Sequence, residues 1–216
     1  MTTTQLGLPL GAPAPRYAEA DLLPNSAQDE ARAWLNRTAD WPGARLILWG
    51  APGCGKTHLL HAWAQRNQAT ILTEAPTTWP ETPVAIDSLD TVPDEPALFH
   101  LLNATAEARH PLLMIATEAP ARLPVRLPDL SSRLKAALAV QIGPAPEAFL
   151  ARLLEKLLAD RQFSIPLNVQ TFLLRRLPRS PGAIRDAAAR LDAAALAAGR
   201  KIDFALASEA LGLGTI

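Results

Sequence analysis

Cysteine is all but missing from this chain: one residue, Cys54, in 216. A lone thiol excludes both a disulfide framework and a cysteine metal cluster. Net charge is missing too, since 21 basic side chains balance 21 acidic ones. That balance argues against a chain built mainly to coat nucleic acid, while leaving room for a local basic face. No stretch approaches the roughly 20 consecutive apolar residues that a membrane span needs. Met1 to Pro15 has neither the basic start nor the apolar run of a signal peptide. No internal repeat is present. These absences predict a protein of a reducing cytoplasm with no membrane partner.

What is there is enough apolar sequence for a sizeable core, 49% of residues, and a length that fits one ordinary domain plus a small second one. The 20 prolines fall mostly between apolar segments and read as punctuation. Residues 1–16 read as an extended tail holding one compact patch, Gln5-Leu6-Gly7-Leu8-Pro9-Leu10. A helix is expected over Ser26 to Arg37, capped by Asn25 or Ser26. Short apolar runs predict parallel strands at Arg45 to Trp49, Ala69 to Thr73, Val84 to Asp87, Leu112 to Thr117 and Leu138 to Ile142. Helices are expected over Lys56 to Arg66 and Glu95 to Arg109. Alternating strands and helices imply an α/β fold with a parallel sheet over residues 17–143.

Gly143-Pro144-Ala145-Pro146 marks the expected boundary. Residues 144–216 read as all helical. Phe149, Leu150, Leu153, Leu154, Leu157 and Leu158 recur at helical spacing in Pro146 to Arg161. Further helices are expected over Leu167 to Leu177, from Pro181 to a stop at Gly199, and from Asp203 to about Leu211.

The strongest chemical signal is Gly50-Ala51-Pro52-Gly53-Cys54-Gly55-Lys56-Thr57, which fits the P-loop pattern at every fixed position. Glycines let successive backbone N–H groups turn toward one anion, and the following helix N-terminus adds partial positive charge. Lys56 is placed to meet terminal phosphates, and the Thr57 hydroxyl to ligate Mg²⁺. An apolar strand before and an amphipathic helix after are both present. The chain is therefore expected to bind a purine nucleotide. Val84-Ala85-Ile86-Asp87 ends an apolar strand in a carboxylate, as a Mg²⁺-holding Walker B segment does.

Gly55-Lys56-Thr57-His58-Leu59-Leu60-His61-Ala62 resembles the P-loop helix of the DnaA family of AAA+ proteins. The resemblance implies an AAA+ P-loop NTPase core followed by a small all-helical lid. His58 is counted with the loop in the nucleotide site; His58 and His61, one helical turn apart, could also suggest a metal pair, against which helix packing within such a segment is the favoured reading. Hydrolytic AAA+ enzymes carry a second acid after the Walker B aspartate; here that residue is Ser88, which cannot serve as a comparable base. Weak or absent turnover of the chain's own nucleotide is expected. Asp90 would point away from the site if the strand persisted.

Leu127-Pro128-Asp129-Leu130-Ser131-Ser132-Arg133-Leu134 is similar to the family's arginine-finger segment, with Arg133 on the finger position. Spacing alone reads Arg133 as a surface ion-pair arginine; the resemblance makes it a cation given in trans to a neighbour's phosphoryl transition state. Pro181-Gly182-Ala183-Ile184-Arg185-Asp186 resembles the sensor 2 motif, with Arg185 reaching the nucleotide. Thr117 matches sensor 1 loosely. Gln5, Leu6, Leu8, Pro9 and Leu10 resemble the peptide by which bacterial proteins dock on the DNA polymerase sliding clamp. Together these imply a regulatory branch of the family, with DnaA and the clamp as partners and DNA met mainly through the clamp. ADP or ATP with Mg²⁺ would be the ligand. Self-association stays open, and nucleoid or replisome association would follow from the clamp. A helix-turn-helix domain is not expected after the lid.

Two departures from the family stand out. Residues 74–82, with Pro76 and Pro80, cannot hold the helix usual between the second and third strands. Lys135-Ala136-Ala137 replaces an aromatic-glycine beside the finger. Leu22 to Asn25 is expected beside the base, by position only.

Overall fold

Five short strands alternate with helices before the chain turns wholly helical. The computed structural model describes residues 23–73, 81–91 and 94–213. The clamp-like segment Gln5 to Leu10, Leu22 and most of the shortened 74–82 connection lie outside them. The strands are β1 (Arg45–Trp49), β2 (Thr70–Leu72), β3 (Val84–Ile86), β4 (Leu112–Ala116) and β5 (Leu138–Gln141). They form one sheet in the order β2-β3-β4-β1-β5, with every pair parallel. The fold is the expected α/β arrangement with a parallel sheet.

The helices of the core are α1 (Asp29–Leu35), α2 (Lys56–Asn67), α3 (Glu95–Glu107) and α4 (Pro128–Ala136). Alternation along β1 shows how they layer. Leu46 and Leu48 face a cluster with Ala31 and Leu35 of α1 and Leu59, Leu60 and Trp63 of α2. Ile47, between them, faces the opposite cluster with Leu98, Leu101 and Leu102 of α3 and Leu130 and Leu134 of α4. A strand's two-residue period thus sends apolar side chains to both faces, and helices cover both.

Four helices follow: α5 (Glu147–Ala159), α6 (Leu167–Arg176), α7 (Pro181–Ala198) and α8 (Phe204–Leu211). They enclose their own cluster, including Phe149, Leu150, Leu154, Phe172, Leu173, Ile184, Leu191 and Leu206. Their ends are set by capping. Ser180 accepts from Ala183 N–H and Asp203 from Leu206 N–H, while Gly199 closes α7 at φ +60°. Among the described residues no helix is long and apolar enough to cross a membrane.

Two expectations need correction, and one segment given no element in the sequence proves to be a helix. The helix expected over Ser26 to Arg37 is a single 3₁₀ turn, Ser26–Gln28, followed by the shorter α1. Asn25, not Ser26, makes the cap bond, accepting from Ala27 N–H, which fixes a tight first turn. The third strand stops at Ile86 and excludes Asp87, because Ser88 takes φ +87° and turns the chain out of the sheet. The finger segment, read above only as a motif, is a full helix, α4, entered through Pro128 at its first turn.

Candidate nucleotide site

β1 lies between β4 and β5, and the glycine-rich turn follows its C-terminal end. In an open parallel sheet that crevice is where ligands bind. Gly55 takes φ +104°, and a side chain there would run into the Gln28 amide. Gly53 takes φ +78°, with Ser180 Oγ 3.0 Å from where its Cβ would be. Both positions therefore need glycine for conformation and for close approach.

Lys56 is buried, and its Nζ donates to the carbonyls of Gly50 at 2.6 Å and Ala51 at 3.1 Å. The ammonium is thus held inside the loop, next to Cys54 Sγ at 3.8 Å. Ala51 and Pro52 form the loop's exposed rim. Thr57 Oγ1 donates to Asp87 Oδ1 at 3.4 Å, so two hard oxygen ligands from separate elements meet. One hydroxyl and one carboxylate beside a phosphate cradle suit Mg²⁺, which takes few protein ligands and keeps phosphate and water oxygens for the rest. No larger group of His, Cys, Asp or Glu suited to a metal occurs among the described residues, so His58 and His61 form no such cluster.

Asp90 was not expected near this site. The turn at Ser88 brings it back: Asp90 Oδ2 accepts from Thr117 N–H at 2.8 Å, and Asp90 Oδ1 from Thr117 Oγ1 at 3.0 Å. Thr117 directly follows β4, the strand beside β1. Its hydroxyl is therefore engaged by a carboxylate one loop away.

Core and helical region meet across a small cleft. Gln28, Arg32, Gly55 and His58 line one side; Phe149, Leu153, Pro181 and Arg185 line the other. Leu23 lines it too. Gln28 Nε2 donates to Cys54 O at 3.0 Å, and its Oε1 accepts from Arg32 at 3.2 Å. Arg152 of α5 donates to Pro24 O at 3.0 Å, and Leu23 packs on the helical cluster. The segment 23–28 therefore joins both halves. Asn25 is 2% exposed, and its Nδ2 has no hydrogen-bond partner among the described residues. Leu23 thus lines the cleft, whereas Gln28, Arg32 and Phe149, which line it too, were not marked as site residues by the sequence.

Arg133 stands elsewhere. Its guanidinium lies 4.8 Å from the Phe99 ring centroid, over α3. It also acts on Arg45, at the start of β1, whereas the P-loop follows the end of β1. Four residue steps at about 3.3 Å separate those strand ends by roughly 13 Å. No ion pair joins Arg133 to a carboxylate among the described residues. The structure therefore brings Lys56, Thr57 and Asp87 together, places His58 and Arg185 on the cleft beside them, and keeps Arg133 apart.

No protein-family model matches the chain. Solved structures do resemble it. Domain III of the Thermotoga maritima replication initiation protein DnaA matches with a TM-score of 0.77 at 18% identity, over 91% of this chain and 95% of that one. AMPPCP-bound DnaA from Aquifex aeolicus matches with a TM-score of 0.66 at 15% identity, over 80% of this chain and 64% of that one. The Thermotoga maritima RuvB Holliday junction branch migration motor matches at 0.64 and 15%, over 86% and 69%. Fold and loop together define an AAA+ P-loop NTPase fold. Its form is similar to that of DnaA domain III, and the match spans less than two thirds of the Aquifex protein.

Proposed function

We propose that this protein binds a purine nucleotide, ADP or ATP with Mg²⁺, at Lys56, Thr57 and Asp87, and uses it as a switch. Its target is DnaA. The reading is that of an Hda-type regulatory inactivator: Arg133 enters the ATP site of a neighbouring DnaA subunit and speeds hydrolysis there, ending initiation competence. Arginine fingers given in trans accelerate such reactions by roughly 10³–10⁵.

The observation that carries this reading is the separation of the two halves of the chemistry. Arg133 sits at the opposite end of β1 from its own P-loop, on a ring and with no carboxylate partner among the described residues. Ser88 meanwhile supplies no second acid beside Asp87. A phosphate-binding loop with a remote arginine suits action on another subunit's nucleotide. The nucleotide between Arg185 and the P-loop sets the angle of the helical lid to the core. The bound AMPPCP of the Aquifex relative supports nucleotide as the ligand class.

Gln5, Leu6, Leu8, Pro9 and Leu10 dock on the sliding clamp in this proposal. Leucines fill apolar pockets, and proline lowers the ordering cost. Tethering raises the local concentration near newly copied DNA without new contacts and associates the protein with the replisome in the cytoplasm. The same remote arginine lets a second copy of the chain associate head to tail.

The test is hydrolysis of DnaA-bound ATP with the clamp loaded on DNA, with and without this protein. Acceleration that depends on the loaded clamp is expected. Absence of acceleration would leave a clamp-tethered adaptor for another partner, and rapid ATP turnover by the purified chain alone would favour a helicase-loader-type ATPase.

A further inference from the structure

Two guanidiniums share one face of α3. Arg133 stacks on Phe99, and Arg45 Nη2 donates to the carbonyl of Leu102 at 2.9 Å. Phe99 and Leu102 are three residues apart, so they are neighbours on the helix surface. Arg45 comes from β1 and Arg133 from α4, so the tertiary fold brings like charges together. Neither has a carboxylate partner among the described residues. Arg45 Nε is buried with no hydrogen-bond partner among the described residues.

Like charges in a half-buried setting repel, and an unmade hydrogen bond of a buried donor is costly. Burial, and secondarily the Arg133 charge, lower the proton affinity of Arg45. An arginine stays protonated regardless, so the repulsion persists. An incoming polyanion relieves it, and planar forks match phosphate oxygens. We propose that Arg45 and Arg133 form one diguanidinium site, carried on Phe99, for the polyphosphate chain of a nucleotide held by a neighbouring subunit. Arg133 contacts the reacting phosphate, while Arg45 binds the unreacting part of the chain. This rests on the trans-acting reading above and adds a second binding residue to it.

The experiment titrates ADP-bound full-length protein, with loaded clamp, into DnaA carrying ATP, and reads maximal rate and half-maximal concentration separately. Arg133→Ala should lose most of the maximal rate. Arg45→Met keeps the apolar stem and should raise the half-maximal concentration about tenfold, more than it lowers the maximal rate. Its salt dependence should flatten relative to the parent. Arg45→Lys, which keeps charge but not the fork, should fall between the two, and it carries the test should Arg45→Met fail to fold. If Arg133→Ala fails while both Arg45 variants match the parent, the diguanidinium site is overturned and the trans reading stands. If Arg133→Ala also matches the parent, the trans reading itself is lost. A weakening of single-stranded oligonucleotide binding by Arg45→Met, by the same factor and without DnaA, would assign the site to a nucleic-acid backbone and overturn the proposal.

Discussion

Gly182 N–H donates to the carbonyl of Gly53 at 3.4 Å, so the first turn of α7 rests directly on the P-loop. Ser180, the cap of that helix, lies against Gly53 from the same side. Loop shape and lid position are thus one mechanical unit.

Gly53→Ala tests that unit. A non-glycine residue at φ +78° costs about 1–3 kcal/mol, and its methyl meets Ser180. The variant should be less stable by that amount, melt at a lower temperature, and gain less stability on adding ADP, as read by thermal denaturation with and without nucleotide. An unaltered ADP-induced shift would separate the loop from the lid.

Asp90 makes two hydrogen bonds to Thr117, and Asp90→Ala removes both. Loss of no more than about 1 kcal/mol in stability is expected, since both bonds are exposed to solvent. ADP and ATP affinities should also change by different factors, because Thr117 follows the strand beside the P-loop strand. Equal affinities before and after, measured calorimetrically, would make the Asp90–Thr117 contact purely structural.

Gln28 is 5% exposed and braces the P-loop through Cys54 O. Gln28→Ala leaves that carbonyl and Arg32 without this partner and should cost about 1–3 kcal/mol. Nucleotide affinity should fall with stability. A variant that loses stability but keeps affinity would place Gln28 outside the site's support.

Glu95, in the first turn of α3, accepts from the N–H groups of Arg126 and Leu127, and these bonds hold its carboxyl below its ordinary value of 4.5. The stabilisation is complete above that ordinary value, where the carboxylate is ionised in both folded and unfolded chains. It is lost as pH falls through the lower folded value. Leu127 holds the N-cap position of α4 and its N–H is tied to Glu95, so acidification loosens the start of the helix that carries Arg133. Glu95→Gln should flatten the pH dependence of stability in that acidic window, measured by urea denaturation. A slope identical to the parent's would remove Glu95 as its source.

The P-loop was legible because all its requirements are local: glycines, Lys56 and Thr57 are contiguous, with a strand before and a helix after. Asp87 was legible for the same reason. Asp90 was not, because nothing about a serine announces φ +87° at position 88, and that turn alone redirects Asp90 toward Thr117. The short α1 likewise follows from the turn that Asn25 imposes. Gln28, Phe99 and Arg45 owe their roles to contacts between distant segments, which periodicity cannot report. The strand positions and the C-terminal helices were foreshadowed by apolar pattern and caps, since Ser180, Gly199 and Asp203 act within a few residues of themselves; the strand order was not.

The central claim is that Arg133 works on a neighbour's nucleotide. Single-turnover hydrolysis of labelled ATP on DnaA, with loaded clamp and either parent protein or Arg133→Ala, tests it most directly. The account predicts strong acceleration by the parent and a loss of at least about 10³-fold stimulation in the variant, with ADP binding to the variant's own P-loop retained. Equal acceleration by both proteins would contradict it.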